Sequence, residues 1–201
     1  MASSPPVPPS RKNTNPGVGD EKLDARDVSL FAVFTSLYVV INILQALLVG
    51  NPSIYGPIQL RVADCLIALS ALFGWPMVAG VTLGGFLTNA YYFLGPVDVA
   101  FGPIANLIAA ILVMTLRKRR LLACIAGGIP IGVIVGGYLW LFFEPPDIIG
   151  LSMPVWAAMI VSITLSSWVA IAVIGYGLLT ILSRPAIIGP LKSRGLKVLS
   201  T

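Results

Sequence analysis

The sequence predicts an all-α integral membrane protein: a six-transmembrane-helix bundle with a short second helix and a structured outer loop before it. Three observations predict it. Of the 201 residues, 57% are hydrophobic and only 10% are charged, where a soluble domain carries about 25% charged residues. The apolar residues fall into segments at about 28–49, 60–74, 75–94, 98–116, 121–143 and 154–182, most of them near the ~20 residues that cross a bilayer core of ~30 Å. Finally, Lys and Arg outside these segments gather in three places. Four lie before residue 28, four form Arg117-Lys-Arg-Arg120, and four are Arg184, Lys192, Arg194 and Lys197. With six spans, all three regions fall on one side, so the positive-inside rule places both termini in the cytosol of a multi-pass cell-membrane protein.

Taken in order, residues 1–27 are rich in Pro, Ser and Asn and then mixed in charge. They read as a disordered cytosolic N-terminal arm and, lacking an apolar run, not as a signal peptide. The membrane domain spans 28–182 and a basic cytosolic tail covers 183–201. Within the domain, the second segment has too few apolar residues, roughly 21 Å as a helix, to cross alone. The uncharged Pro- and Gly-containing stretch Gly50–Gln59 precedes it, and reads as a loop dipping into the outer face. Small residues recur every fourth position at Gly80/Gly84/Thr88, Gly128/Gly132/Gly136 and Ala158/Ser162/Ser166/Ala170. These are expected to be seams of close helix packing.

Several chemistries are set aside. The chain has no His, hence no usual general base or metal ligand, and no metal, cofactor or enzyme activity is expected. Cys65 and Cys124 sit in apolar runs as buried small hydrophobes. The formal charge of +5 follows from the basic clusters, so no nucleic-acid partner is implied.

The polar groups inside the apolar segments collect on the outer side. Asn42 and Gln45 lie in the outer half of the first helix, Gln59, Arg61 and Asp64 open the second, Asn89 ends the third, and Asp98 with Asn106 begins the fourth. The inner half holds only hydroxyls (Thr35, Ser36, Ser70, Thr82, Thr115), which can bond back to their own helix. Arg61 and Asp64 are three apart, sharing one helix face. Charge at membrane depth costs roughly 2.5–3.5 kcal/mol on insertion scales and faces protein or a watery cavity. Each Asn alone fits a helix–helix hydrogen bond, and Arg61–Asp64 fits a structural ion pair. Converging from four helices, they read as a small-molecule site, with Tyr55, Tyr91, Tyr92, Phe101 and Trp140 either stacking on the ligand or forming an interfacial belt.

The runs Tyr-Gly-Pro-Ile-Gln-Leu-Arg-Val-Ala-Asp (55–64), Gly-Gly-Phe-Leu-Thr-Asn (84–89) and Gly-Pro-Val-Asp-Val-Ala-Phe-Gly-Pro-Ile-Ala-Asn-Leu-Ile-Ala-Ala (95–110) resemble the QueT family, over about residues 28–180. This family is similar to the substrate-binding (S) components of energy-coupling factor (ECF) transporters. The resemblance implies uptake of a queuosine precursor, a 7-deazaguanine base, by a subunit that does no chemistry on it. It also implies a transmembrane coupling subunit and two cytosolic ATPases as partners. The absence of a Gly-x-x-x-x-Gly-Lys-Ser/Thr loop agrees with an external energy source. The family's small face on the first helix, alanine-x-x-x-alanine, matches Ala32 and Ser36 here, and its usual glutamate after the Arg is replaced by Asp64. The expected substrate-binding residues are Tyr55, Gln59, Arg61, Asp64, Asn89, Asp98 and Asn106, under a loop that closes over them. The alternatives are uptake of another vitamin or nucleobase, a non-transporting membrane scaffold, or, more weakly, an intramembrane enzyme using a carboxylate pair.

Overall fold

A computed structural model of the chain describes residues 24–50, 60–144 and 153–199. The described residues form seven helices: α1 (Ala25–Val49), α2 (Val62–Phe73), α3 (Trp75–Tyr91), α4 (Pro96–Thr115), α5 (Arg120–Leu139), α6 (Val155–Leu182) and α7 (Pro185–Ser193). Four of them, α1, α4, α5 and α6, are long and apolar enough to cross a membrane. With 17 residues, α3 spans about 25 Å at 1.5 Å per residue.

Local chemistry sets these bounds. The Asp27 carboxylate accepts from the Asp24 N–H at 3.2 Å, closing the first turn of α1. Gly74 ends α2 at φ +64°, a backbone that only glycine adopts freely. Pro76 and Pro96 sit in the first turns of α3 and α4, where the missing N–H is unused anyway. Two helices depart from α geometry where they meet. From Val62 to Leu69, α2 is 3₁₀, and from Val169 to Gly175, α6 is π. There Gly175 lets the two backbones touch: a Cβ on it would lie 2.8 Å from the Cys65 carbonyl.

The seams set the directions. Gly80 lies under Phe34 and Gly84 under Tyr38, with a Cβ on Gly84 only 2.8 Å from that of Tyr38, so α3 runs parallel to α1. Opposite α5, Gly128, Gly132 and Gly136 meet Trp168, Thr164 and Ile160 in turn, so α6 is antiparallel. Between α1 and α2, Phe34 stacks at 5.2 Å on Phe73, while Gln45 reaches Leu60. The first six helices therefore alternate in direction. The expected glycine stripes are packing seams, and Ala158, Ser162, Ser166 and Ala170 are all buried. The inner hydroxyls bond back as expected, Thr35 to the Phe31 carbonyl and Thr82 to that of Val78. Ser70 also crosses to the Ala110 carbonyl of α4 at 2.9 Å.

One expectation changes. Arg61 does not share a helix face with Asp64. It precedes α2 in extended backbone (φ −85°, ψ 104°), because the helix begins one residue later as 3₁₀. The expected tail, 183–201, is partly helical. It contains α7, whose Pro185 sits harmlessly at the first turn. The chain then folds back: the Arg26 guanidinium donates to the Gly195 carbonyl at 2.8 Å, Lys197 pairs with Asp27 at 3.1 Å, and the Leu199 N–H reaches the Leu72 carbonyl at 2.8 Å. A cleft of about 540 Å³ joins Asp27, Trp75, Arg117 and Lys197. All three basic regions thus meet at one end of the bundle. Of the expected structured outer loop, residues 51–59 lie outside the described residues, as do residues 1–23 of the N-terminal arm.

Candidate functional site

Along α1 the usual arrangement is inverted. Its buried residues are Phe34, Thr35, Tyr38, Asn42 and Gln45, while Leu47 and Leu48 face outward. A polar stripe turned inward with aliphatics turned out is what a helix in lipid requires. This stripe meets the start of α2. The Gln45 amide donates to the Leu60 carbonyl and accepts from the Val62 N–H at 2.9 Å. It thereby satisfies backbone groups on both sides of Arg61, where no helix does so. Two turns further along α1, the Tyr38 hydroxyl donates to Asp64 Oδ1 at 2.5 Å and accepts from Asn106 Nδ2 at 2.9 Å. Arg61 is buried and acts electrostatically on Asp64. Three helices therefore converge on one phenol.

A second cluster lies at the ends of α3, α4 and α5 away from the basic residues. Asn89 Nδ2 donates to the Asp98 carbonyl at 2.9 Å, and the Tyr138 hydroxyl donates to Asp98 Oδ1 at 2.7 Å. The two clusters share one seam. On α3, Gly85 and Asn89 are one turn apart, as are Gly102 and Asn106 on α4. Because α3 and α4 are antiparallel, Asn89 lies over Gly102 and Asn106 over Gly85, each filling the space a Cβ would take. This reciprocal clasp separates the clusters by about one helical turn, ~6 Å.

Asn42 Oδ1, Asn89 Oδ1 and Asp98 Oδ2 are buried and have no hydrogen-bond partner among the described residues. All three are acceptors. A buried acceptor without a donor costs ~1–3 kcal/mol, a cost that an N–H or O–H group would offset. Among the described residues no three metal-ligating side chains gather.

The structure thus brings together Arg61, Asp64, Asn89, Asp98 and Asn106. Tyr55 and Gln59 lie outside the described residues. Tyr91, Phe101 and Trp140 are exposed, Tyr91 over 73% of its surface, and the Phe101 ring lies 6.5 Å from that of Tyr138. The aromatic side chains that hydrogen-bond within the clusters are Tyr38 and Tyr138. Sequence reasoning missed both. For Tyr38 there was a signal, since Thr35, Tyr38, Asn42 and Gln45 follow the 3–4 spacing of one face. For Tyr138 there was none that distinguishes it from a belt tyrosine.

Three of the clefts lined by described residues lie away from the polar cluster's interior. Besides the one at the basic end, a groove of about 420 Å³ runs along α1 over Ala32, Val33, Ser36, Leu37 and Val40. Ser36 Oγ is turned onto the Ala32 carbonyl at 2.8 Å, leaving that groove smooth. Another, of about 360 Å³, is lined by Val97, Phe101, Ile104, Ile134, Gly137 and Tyr138. It backs onto the ring whose hydroxyl holds Asp98.

Comparison with protein families gives a match to the family described as QueT transporter over residues 28–184. Neither the curated proteins nor the solved structures compared with the chain give a match. With most of its length matched, including every residue of the two clusters, the chain belongs to the QueT transporter family, a family of membrane transporters and not of enzymes.

Proposed function

We propose that this chain is the substrate-binding membrane subunit of an ECF-type uptake transporter, and that its substrate is a queuosine precursor, a 7-deazaguanine base. The observation that carries the reading is the convergence of buried acids and amides, three of their oxygens still unpartnered, at the end of the bundle away from the basic residues. A flat base with amino and ring N–H groups supplies the donors those oxygens lack. In this reading Arg61, Asp64, Asn89, Asp98 and Asn106 hold the base, with Tyr55 and Gln59 completing the site from the loop above.

The same reading has α1 to α6 as six membrane-crossing segments, α2 entering from the outer loop, and both termini in the cytosol. Their alternating directions and the gathering of Arg26, Arg117 and Lys197 at one end support it. In this reading the cytosolic arm runs to residue 27, the membrane domain covers 28–182 and the basic cytosolic tail lies beyond. A transmembrane coupling subunit docks in the smooth groove over Ala32 and Ser36, and two ATPase subunits bind that partner. Tyr38, Asn89 and Asp98 are fully buried, so loading requires the outer ends of the helices to part. ATP hydrolysis in the partners then turns the loaded subunit toward the cytosol.

The deciding experiment is thermal unfolding of the purified protein with 7-deazaguanines, guanine and common vitamins. A ligand that binds only the folded state raises the melting temperature by mass action, by ~2.7 kcal/mol of stability at a hundred times Kd. A shift with deazaguanines alone is expected. A shift with another compound keeps the transporter and discards this substrate. No shift with any compound favours a second reading, a scaffold, which the Asn89 and Asn106 bonds between helices would also serve. Filling the α1 groove tests the partner face. Ala32→Leu with Ser36→Leu is expected to leave ligand binding intact and to cut co-purification of the coupling subunit by about tenfold or more. Undiminished co-purification would move the interface elsewhere.

A further inference from the structure

We infer that Gln45 is a positioning residue of the site: it fixes the backbone of Arg61 and so aims the guanidinium into the cluster. The inference rests on the transport reading above and adds to it the side chain that sets the cation in place. Arg61 is buried. It lies just before α2, in extended backbone at φ −85° and ψ 104°. A residue in that place is outside the ladder of hydrogen bonds that fixes a helical backbone. Its hold comes from another helix.

Peptide planes are rigid, so only φ and ψ of a residue set how the plane before it stands to the plane after it. For Arg61 the plane before carries the Leu60 carbonyl, and the plane after carries the Val62 N–H. Gln45 Nε2 donates to the first, and Gln45 Oε1 accepts from the second at 2.9 Å. One planar amide thus grips both planes and fixes both torsions. In extended backbone those two groups point to the same side, where a neighbouring β-strand would meet them with its own N–H and carbonyl. A primary amide carries its acceptor and donors side by side and meets the same pattern. The Arg61 carbonyl in turn accepts from the Asp64 N–H at 3.1 Å, so the first turn of α2, with Asp64 on it, starts from the conformation that Gln45 sets. Gln45 itself projects from α1, a continuous helix of 25 residues, and a side chain carried on a helix is placed more precisely than one on a loop. A guanidinium aimed before the ligand arrives spares the ordering that binding would otherwise demand.

The test uses two readouts on the full chain. The first, without ligand, is residue-resolved amide hydrogen exchange in Gln45→Met, which keeps the side chain's length and removes both bonds. The Val62 amide is expected to exchange about tenfold or more faster, while the amides of Cys65–Phe73 stay within about twofold of their original rates. Unchanged exchange at Val62 would overturn the inference. So would acceleration through the whole of α2, which would make Gln45 a general support of that helix. The second readout is calorimetric titration with 7-deazaguanine. Gln45→Met should bind it about tenfold more weakly, and so should Gln45→Asn, an amide one methylene too short to serve both groups. In an Arg61→Met background, Gln45→Met should cost less than about twofold, because no guanidinium is left to aim. Unchanged affinity in Gln45→Met, or equal losses in the two backgrounds, would overturn the inference and leave the transport reading standing. If the unaltered, folded protein does not bind 7-deazaguanine, the substrate reading falls and the exchange result alone decides for or against Gln45. The exchange result also decides if Arg61→Met binds too weakly to titrate, and Gln45→Asn carries it if Gln45→Met does not fold.

Discussion

Asp64→Asn is expected to lower ligand affinity by about a hundredfold or more, the effect of removing one member of a buried hydrogen-bonded charge cluster, while the protein stays inserted and helical. The substitution isolates charge from shape. Tyr38 can still donate to the new amide oxygen, as it now donates to Asp64 Oδ1 at 2.5 Å, so the phenol and Asn106 behind it keep their places. Arg61, already buried, loses its neighbouring anion. An apo-state loss of ~1–3 kcal/mol follows, which for a chain of this size lowers the melting temperature by several degrees. Tyr38→Phe makes the complementary change, keeping the carboxylate and removing the hydroxyl that aims it. Its affinity loss should be nearer tenfold. Titration calorimetry on both variants, with far-UV circular dichroism as the fold control, gives the comparison. Unchanged affinity in Asp64→Asn would make the Asp64 cluster a structural knot between helices and nothing more.

Why these residues sit together was only partly legible in the sequence. Hydropathy and small-residue spacing are properties of single helices, and both transferred to the structure. Gly80 and Gly84 do lie under α1, and Gly132 and Gly136 under α6. Which polar groups meet depends on how helices rotate against one another, and that is a property of pairs. The clasp of Asn89 over Gly102 and Asn106 over Gly85 was written as the same Gly-x-x-x-Asn spacing in two helices. Only their antiparallel contact makes it reciprocal. The 3₁₀ start of α2 had no local cause to read. Its backbone is set by Gln45, fifteen residues away, bonding to Leu60, and by the π stretch of α6 beside it. The helix within the tail is likewise not set locally. Pro185, Gly189 and Pro190 argue against a helix on propensity, and contacts with α1 and α2 override them.

Two adjacent glycines in α5 provide the sharpest test of the packing that holds the site in place. At Gly136 a Cβ would lie 2.6 Å from the Ile160 Cα and 2.9 Å from its backbone nitrogen. Those are main-chain atoms of α6, with no side-chain rotamer to relieve the clash. Gly136→Ala therefore forces the two helices apart. It is expected to cost about 3 kcal/mol, the upper part of the range for overpacking, and to lower the melting temperature by roughly 6–12 °C. At Gly137 a Cβ meets nothing within 4 Å, since that position faces the groove between α4 and α5. There the alanine only reduces the freedom of the unfolded chain, so Gly137→Ala should be neutral or stabilising by ~0.4–1 kcal/mol. Equal melting temperatures for the two variants would mean that α5 and α6 do not approach this closely. The pair also links packing to binding. Tyr138 follows directly on Gly137 within α5 and holds Asp98 across the gap to α4. Displacing α5 at Gly136 should therefore weaken ligand binding as well as stability, whereas Gly137→Ala, one residue nearer Tyr138 in sequence, should leave binding unchanged. Proximity in sequence and effect on the site would then run in opposite order, as they must if the α5–α6 seam, and not the local chain, sets where Tyr138 stands.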